Sequence, residues 1–329
     1  MNRNVIIVLL LLLLVSCKAD QKRPPNIILF LVDDMGWNDP GFMGSAYHQT
    51  PRIDELAAEG MVFTQAYANC ANCAPTRASL MSGQEIPRHG IYTVGNPARG
   101  NAANRQLIPA PNRTELDTSI VTVAELLRSA GYATAHIGKW HLGEGETGPL
   151  NQGFDVNVGG NHKGHPRSYF SPYQNTSLPD GPDGEYLTDR LTNEAVQYIS
   201  EHKDRPFFMY FSHYSVHTPI QGKKELVEKY EKLPGDERHN HPVYAAMVES
   251  TDQSLGRVVD ALKAHDIDEN TLIVFFSDNG GHAVYTKMSP LRGSKGSFYE
   301  GGIREPMVMW WPGQIEPGQC ETPVVGLDF

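Results

Sequence analysis

Four short, mainly apolar runs occur along the chain, and polar side chains follow each of them closely. The runs occupy residues 27–32, 133–137, 207–211 and 272–276, and only the second contains polar residues, Thr134 and His136. Mainly apolar runs of this length are typical of strands that are covered on both faces. Between them, residues 118–130, 187–200 and 242–264 carry apolar positions at helical spacing. Alternating strands and helices predict an α/β fold with a mostly parallel central sheet and helices on both faces.

Polar residues at the ends of the four predicted strands are the candidate functional residues. Ligands of parallel sheets bind beyond the carboxyl ends of the strands, so side chains far apart in sequence meet there. The candidates that follow the four runs are Asp33, Asp34, Lys139, His141, His217, Asp278 and Asn279. A single polar cluster of this kind is an ordinary loop. Four clusters that share Asp, Lys and His favour one common site.

The acidic members of this set indicate a metal site. Asp33, Asp34, Asp278 and Asn279 offer side-chain oxygens and no soft ligand. Three carboxylates at one point repel each other unless a cation lies between them. Oxygen ligands suit Ca²⁺ or Mg²⁺ rather than Zn²⁺.

The basic members indicate an anion pocket beside the metal. Lys139 and Lys295 supply positive charge for a sulfate or phosphate group. His141 and His217 are suited to proton transfer near neutral pH. Most of the 13 histidines are expected to be structural instead, including His136. We expect the same of His213.

Composition narrows the class of protein further. The chain has 28 Lys and Arg against 38 Asp and Glu, a net charge of −10. Such an acidic chain lacks the basic surface that nucleic-acid binding requires, so we expect no nucleic-acid partner. Four cysteines in 329 residues are too few for a disulfide-stabilised scaffold. The chain is therefore an acidic enzyme or binding protein.

The first residues are typical of an export signal. Residues 5–15 are all apolar and follow Arg3, but the run is too short to span a bilayer as a helix. The ending Leu14-Val15-Ser16-Cys17 resembles the bacterial lipoprotein box; a plain cleaved signal is the alternative. We expect a signal peptide over 1–16, a tether over 17–25, and one catalytic domain over 26–329. Lipidated Cys17 would then hold the protein at a membrane, in the periplasm or at the cell surface.

The segment from Cys70 to Gly83 carries the candidate nucleophile. Cys70 and Cys73 form a C-x-x-C pair, which by itself suggests a redox pair or half of a zinc site. From Cys73 on, however, the sequence Cys-Ala-Pro-Thr-Arg followed by Ala-Ser-Leu-Met-Ser-Gly closely resembles the sulfatase signature C-x-P-[ST]-R-x-x-x-x-[ST]-G. An unmodified buried thiol at position 73 is the alternative.

Further motifs of the same family recur in order along the chain, from about residue 26 to the last residue. They are Asp33-Asp34-Met35-Gly36-Trp37, Thr50-Pro51-Arg52-Ile53-Asp54, Gly138-Lys139-Trp140-His141-Leu142-Gly143, Val216-His217-Thr218-Pro219, Ser277-Asp278-Asn279-Gly280, Leu291-Arg292-Gly293-Ser294-Lys295-Gly296 and Glu300-Gly301-Gly302-Ile303-Arg304-Glu305-Pro306. The chain therefore resembles the formylglycine-dependent sulfatases of the alkaline phosphatase-like superfamily.

The resemblance implies a modified residue and one metal ion. In the family the signature cysteine is oxidised to formylglycine, which requires a maturation enzyme in the same cell. Here that residue is Cys73. The family pattern also implies one Ca²⁺ ion, bound by Asp33, Asp34, Asp278 and Asn279 together with residue 73.

The resemblance also implies a role for each basic residue. A hydroxyl of the hydrated aldehyde would attack sulfur, while Lys139 and Lys295 neutralise the sulfuryl group. His217 would protonate the leaving alcohol, and His141 would take the proton of the second hydroxyl to expel sulfate. Arg77 would orient residue 73 and the metal-binding carboxylates.

The substrate is predicted only by class. The segment 159–170 is rich in glycine, aromatic and cationic residues, and His162, His165 and Arg167 are the candidates for contacting a sulfated sugar or polysaccharide. An ordinary surface loop is the alternative for this segment. At the level of the whole chain, three readings compete with a carbohydrate sulfatase. They are a phosphate or phosphonate ester hydrolase of the same superfamily, a non-catalytic glycan-binding lipoprotein, and an inactive fragment.

The length of the chain bears on the last of these readings. Family members continue past the point that corresponds to Phe329, through a helix and a C-terminal antiparallel subdomain. We therefore expect the chain to be truncated, with that subdomain largely absent.

Overall fold

The computed structural model describes residues 23–328. The segments on which the signal peptide and most of the tether were predicted lie outside these residues. The strands are β1 (Asn26–Val32), β2 (Met61–Phe63), β3 (Ala66–Tyr67), β4 (Ala133–Gly138), β5 (Val156–Val158), β6 (Phe207–Ser212), β7 (Thr271–Ser277), β8 (Arg304–Glu305), β9 (Met307–Trp310), β10 (Gly318–Cys320) and β11 (Val324–Val325). The helices are α1 (Pro51–Glu59), α2 (Cys73–Ser82), α3 (Ile86–His89), α4 (Val123–Ser129), α5 (Leu187–His202), α6 (Lys224–Tyr230), α7 (Pro242–Ala264) and α8 (Glu300–Ile303).

The central sheet has eight strands in the order β10-β2-β9-β7-β1-β6-β4-β5. Neighbours from β7 to β5 pair in parallel, and β9 runs antiparallel to both β7 and β2. A second sheet has the order β11-β3-β8. The predicted α/β class with a mostly parallel sheet is confirmed.

Both faces of the central sheet are covered, as the apolar runs require. Alternate side chains of β1 point to opposite faces because a strand has a period of two. Ile28, Phe30 and Val32 belong to one apolar cluster, which includes residues of α1, α5 and α7. Leu29 and Leu31 belong to a second cluster, which includes residues of α2. Because both faces of β1 are covered, its residues from Ile27 to Val32 are all apolar, and the first charged residue is Asp33, directly after the strand.

The predicted helix over 118–130 is wrong at its start. The helix begins at Val123, because Thr122 forms a capping box with Glu125. The Thr122 hydroxyl accepts the Glu125 amide at 3.2 Å, and the Glu125 carboxylate accepts the Thr122 amide at 2.7 Å. These bonds satisfy amides of the first turn and fix the boundary. The helix over 187–200 extends to His202, and that over 242–264 has the predicted bounds.

The register of the strands brings their ends to one level. Val32 of β1 pairs with Ser277 of β7, and Leu31 pairs with Ser212 of β6. Ser212 also pairs with Gly138 at the end of β4. The residues after these four positions therefore lie along one edge of the sheet. Within residues 23–328, no helix has both the length and the hydrophobicity needed to cross a bilayer.

Candidate active site

Three carboxylates and an amide meet where β1 and β7 end. Asp33 and Asp34 follow β1, Asp278 and Asn279 follow β7, and all four are buried. The Asp34 amide donates to Asp278 Oδ1 at 3.2 Å, and Asn279 Nδ2 donates to Asp34 Oδ1 at 2.8 Å. The structure thus brings together the four predicted metal ligands from both strands.

Each carboxylate has its own cation. Lys139 Nζ lies 2.6 Å from Asp33 Oδ2, and Lys295 Nζ lies 2.6 Å from Asp34 Oδ2. Arg77 Nη2 lies 2.7 Å from Asp278 Oδ2. Three negative and three positive side chains therefore balance, which is how such a buried set is tolerated.

Arg77 also connects three strands of the sheet. Its Nε donates to Asp278 at 2.8 Å, and Nη1 donates to the carbonyl of Lys139 at 2.8 Å and to the hydroxyl of Ser212. The side chain is fully buried in the second turn of α2. Arg77 contacts Asp278 directly, and its Nη2 lies 3.8 Å from Asp33 Oδ1. Its predicted action on the carboxylates thus has a geometric basis.

Burial and mutual repulsion act on the carboxylates in different ways. Burial raises the pKa of Asp33 above its usual range, Asp278 and Asp34 raise it further, and Lys139 opposes them. Burial acts in the same direction on Asp34, but Lys295, His217 and Lys139 outweigh it and lower the pKa of Asp34. Burial thus disfavours the ionised form of Asp33 in spite of its pairing with Lys139, and a further cation nearby would favour that form.

The site fits a hard cation. Asp33 Oδ1 and Asn279 Oδ1 are buried oxygen atoms without a hydrogen-bond partner among the described residues. Buried oxygens that lack donors are costly unless something else binds them. Ligand atoms of Asp33, Cys73 and Asp278 lie within 4.8 Å of one another. Carboxylate and amide oxygens are the ligands that Ca²⁺ prefers.

Cys73 lies at the start of α2, beside this cluster. Its side chain is 1% exposed, and Sγ lies 3.3 Å from His141 Nδ1. Burial raises the pKa of the Cys73 thiol, although Lys139 opposes it. A thiol with a raised pKa is a poor nucleophile, so the unmodified side chain is unsuited to attack. Cys70, Cys73 and Cys320 are all free thiols in the described part of the chain, so the C-x-x-C pair forms no disulfide there.

The two predicted histidines face the same cluster. His141 follows Lys139 after β4, and its backbone amide donates to the carbonyl of Asn161 at 2.9 Å. His217 Nδ1 lies 2.8 Å from the carbonyl oxygen of Thr218, which can only accept, so Nδ1 carries the hydrogen. Its Nε2 therefore points into the site, 3.7 Å from Asp34 Oδ2.

Burial keeps both imidazoles neutral. Burial first, then the charges of Lys139 and Arg77, hold the pKa of His141 well below its usual range. Burial lowers the pKa of His217 to about 3, although Asp34 opposes this effect. A neutral His141 beside residue 73 is in the protonation state of a base.

The three predicted sugar-contacting residues have different surroundings. His165 and Arg167 line a cavity of about 660 Å³ together with Lys163, Thr218 and Pro219. The lining of this cavity does not include His162; its Nδ1 instead contacts the carboxylate of Glu144.

Sequence reasoning missed residues that act through their backbone. Asn161 and Thr218 hold the two site histidines through their backbone carbonyl groups. Every residue has such a carbonyl, so the sequence does not indicate which residues will make these contacts. Ser212 receives the Arg77 guanidinium, and its place directly after the third apolar run is a signal that would have found it. His136 and His213 are buried structural residues, bonded to Asn157 and Ser254.

The sheet, its strand order and the charge-balanced cluster at its carboxyl edge define an α/β protein of the alkaline phosphatase-like superfamily. Residues 25–329 match the family described as Sulfatase. The chain belongs to the sulfatase family.

Named relatives agree with this assignment. The chain is 34% identical to a sulfatase of Formosa agariphila, over 93% of this chain and 66% of the relative. It is also 34% identical to the N-acetylgalactosamine-6-sulfatase of Mus musculus, over 92% of this chain and 60% of the relative. The crystal structure of Ps i-CgsB in complex with k-i-k-neocarrahexaose superimposes with a TM-score of 0.79 at 33% identity, covering 93% of this chain and 70% of that one. The chain thus spans about three fifths to two thirds of the length of these curated relatives.

Proposed function

We propose that the protein hydrolyses sulfate esters of carbohydrates. The observation that carries this proposal is the buried cluster of three carboxylates and three cations beside residue 73. The cluster is neutral by itself, and a divalent cation would give it a net positive charge that attracts an anionic ester. The family and the names of its relatives support sulfate as that anion.

Asp33, Asp34, Asp278 and Asn279 would hold Ca²⁺ through their buried oxygens. When bound, the ion supplies Lewis-acid polarisation of a sulfate oxygen and lowers the pKa of a neighbouring hydroxyl. An aldehyde hydrate at position 73 would supply the hydroxyl that attacks sulfur and a second hydroxyl for sulfate release.

The remaining residues of the site position charge and protons. Lys139 and Lys295 lie beside Asp33 and Asp34, so their ammonium groups face the same space as the bound ester and favour its negative charge. His141 Nδ1, next to residue 73, accepts a proton from that residue's hydroxyl. His217 Nε2 lies 3.7 Å from Asp34 Oδ2 and carries no hydrogen in the neutral ring, so His217 protonates the leaving alcohol only after Nε2 has taken up a proton, which the negative charge of Asp34 favours. The net reaction consumes water and yields an alcohol, sulfate and a proton.

The proposed substrate is a sulfated sugar or polysaccharide. The relatives named above include a sulfatase of N-acetylgalactosamine and a protein crystallised with a neocarrahexaose. The cavity beside His217 is large enough for more than the sulfate group, since ligand pockets measure about 300–1,000 Å³. His165 and Arg167 on its wall are the proposed sugar-contacting residues. His162 is proposed only in a supporting role, through Glu144.

The cellular setting is a proposal from the sequence. The apolar run 5–15 and Cys17 support export as a lipoprotein that is anchored through lipidated Cys17. Conversion of Cys73 requires a formylglycine-generating partner in the same cell.

The experiment that tests the function compares three versions of the 329-residue chain. The wild type should hydrolyse 4-nitrophenyl sulfate faster than 4-nitrophenyl phosphate, with Ca²⁺ present. Cys73→Ser should lose detectable turnover, because serine carries one hydroxyl and cannot release sulfate by elimination. Cys70→Ser is the matched control at a second buried cysteine and should keep most of the activity. Undiminished turnover of Cys73→Ser would rule out the proposed mechanism, and a preference for phosphate would favour the related phosphate or phosphonate hydrolase. Mass spectrometry of the peptide that contains Cys73 tests the modification directly.

A further inference from the structure

One wall of the cavity beside His217 carries the cationic side chains of Lys163 and Arg167 and the imidazole of His165. Lys163, His165 and Arg167 come from one five-residue loop segment, and Pro166, Thr218 and Pro219 complete the lining. This segment separates β5 from α5, and it passes over the two site histidines. A group bound in the cavity would therefore adjoin the catalytic centre.

Two contacts place the wall against the catalytic histidines. The ring of His165 lies parallel to that of His217, with centroids 6.1 Å apart and planes inclined by 10°. Gly164 lies so close to His141 that a Cβ atom there would be 2.4 Å from the imidazole Cε1. The cationic wall and the reacting centre are thus two parts of one continuous site.

The wall is basic in a protein that is acidic overall. The chain carries a net charge of −10, yet residues 156–179 contain no Asp or Glu, and neither do residues 205–224. These two stretches supply the whole lining of the cavity. No ion pair to Lys163 or Arg167 occurs in the part of the chain that the structure describes. The charge of Arg167 is therefore available to a ligand, whereas that of Lys163 also acts on the nearby Glu144 carboxylate and lowers its pKa.

The wall is also held in place before any ligand binds. The hydroxyl of buried Tyr169 lies 2.5 Å from the carbonyl oxygen of Tyr214 and 2.9 Å from that of His217. The Tyr169 amide donates to Gln221 Oε1 at 2.7 Å. These bonds join the cationic segment to the loop that carries His217. A wall fixed in this way needs little reorganisation to bind a ligand.

We propose that Lys163, His165 and Arg167 form a second anion subsite. It binds a sulfate or carboxylate group on the sugar next to the one that loses its sulfate. The sulfate at the catalytic centre accounts for one negative charge of the substrate, and the steps proposed there use neither Lys163 nor Arg167. The preferred substrate is then an oligosaccharide with at least two anionic groups on neighbouring rings. This inference rests on the proposed function and specifies its substrate class.

A binding measurement on a variant without turnover tests the second anion subsite independently of catalysis. The Cys73→Ser chain is titrated by calorimetry with three disaccharides in Ca²⁺ buffer at low salt. One carries a single sulfate, the second carries another sulfate on the neighbouring ring, and the third carries a uronic acid there. The second or third ligand should bind at least tenfold more tightly than the first, since a charge-assisted hydrogen bond contributes about that factor. The advantage should shrink as salt is added.

Substitutions in the cationic wall test whether Lys163 and Arg167 cause the tighter binding of the doubly charged disaccharides. Lys163→Gln and Arg167→Gln should each remove about tenfold of the advantage of the doubly charged ligand. Lys263→Gln and Arg128→Gln are matched controls and should preserve it, because both lie in the last turns of helices that lead to the opposite edge of the sheet. Equal affinity for all three disaccharides, or an advantage that survives both subsite variants, would overturn the proposal. If the advantage is present but the wild type hydrolyses no aryl sulfate, only the proposed function fails.

Discussion

Gly164 provides a sensitive test of how closely the loop over the site controls catalysis. In Gly164→Ala the new methyl group would lie 2.4, 2.6 and 2.9 Å from three atoms of the His141 ring. Ordinary contacts of this kind begin near 3.4 Å, so the ring or the loop must move by about 1 Å. The backbone at Gly164 is not in the left-handed region, so alanine causes no strain apart from this contact.

The displacement falls on the group that is proposed to accept a proton from residue 73. His141 Nδ1 lies 3.3 Å from the side chain of residue 73, and a shift of about 1 Å in either direction breaks this alignment. Misplacement of that size lowers rates by roughly 100-fold. We therefore expect kcat for 4-nitrophenyl sulfate to fall by about that factor, with the thermal unfolding midpoint little changed, since Gly164 lies on a surface loop.

Gly318→Ala is the matched control. Gly318 lies in the edge strand β10, and a Cβ there meets Met61 at an ordinary 3.7 Å. This variant should keep wild-type kcat. A Gly164→Ala protein that is folded and has kcat within about threefold of the wild type would refute the argument that the loop positions His141.

Three further measurements test the buried charges. Arg77→Met leaves Asp278 buried without its cation and should lower the free energy of unfolding in urea by about 3–5 kcal/mol. In the control Arg128→Ala, loss of the exposed pair between Arg128 and Asp155 should lower it by at most about 1 kcal/mol. Equal effects of the two substitutions would contradict the reasoning. Millimolar Ca²⁺ should raise the thermal unfolding midpoint and excess EDTA should reverse the rise, whereas an unchanged midpoint would argue against a calcium site. Burial lowers the pKa of His213 to about 3, so its neutral form contributes stability above pH 6.5 that is lost as the pH falls. Between pH 7.5 and 5.5 the wild type should lose about 1.4 kcal/mol more stability than His213→Gln, and an equal loss would show that His213 is not the group responsible.

The strands and the acidic residues at their ends were predictable because burial imposes a strong pattern. A strand covered on both faces is mainly apolar, so Asp33 after β1 and Asp278 after β7 stood out in the sequence. The order of the strands then brought these residues together, as the parallel arrangement implied. The short strands β2, β3 and β8 to β11 have two to four residues and leave no comparable pattern.

The pairing of charges was not predictable, because it depends on tertiary contacts. Lys139 and Lys295 were expected to neutralise a bound anion, and each also has a carboxylate of the buried acidic cluster as its direct partner. His162 was grouped with His165 as a sugar contact, but Glu144 lies within reach of His162 only in the folded chain. The helix start at Val123 depended on a local capping box that the apolar spacing alone obscured.

The depth of Cys73 fixes when its side chain can be altered. The thiol is 1% exposed, and the groups around it come from distant parts of the chain, with His141 located 68 positions later. A second protein can reach this thiol only before those segments have packed around it. Any enzymatic conversion of Cys73 therefore belongs to the interval between synthesis and folding. A chain that folds too early would remain permanently in the thiol form.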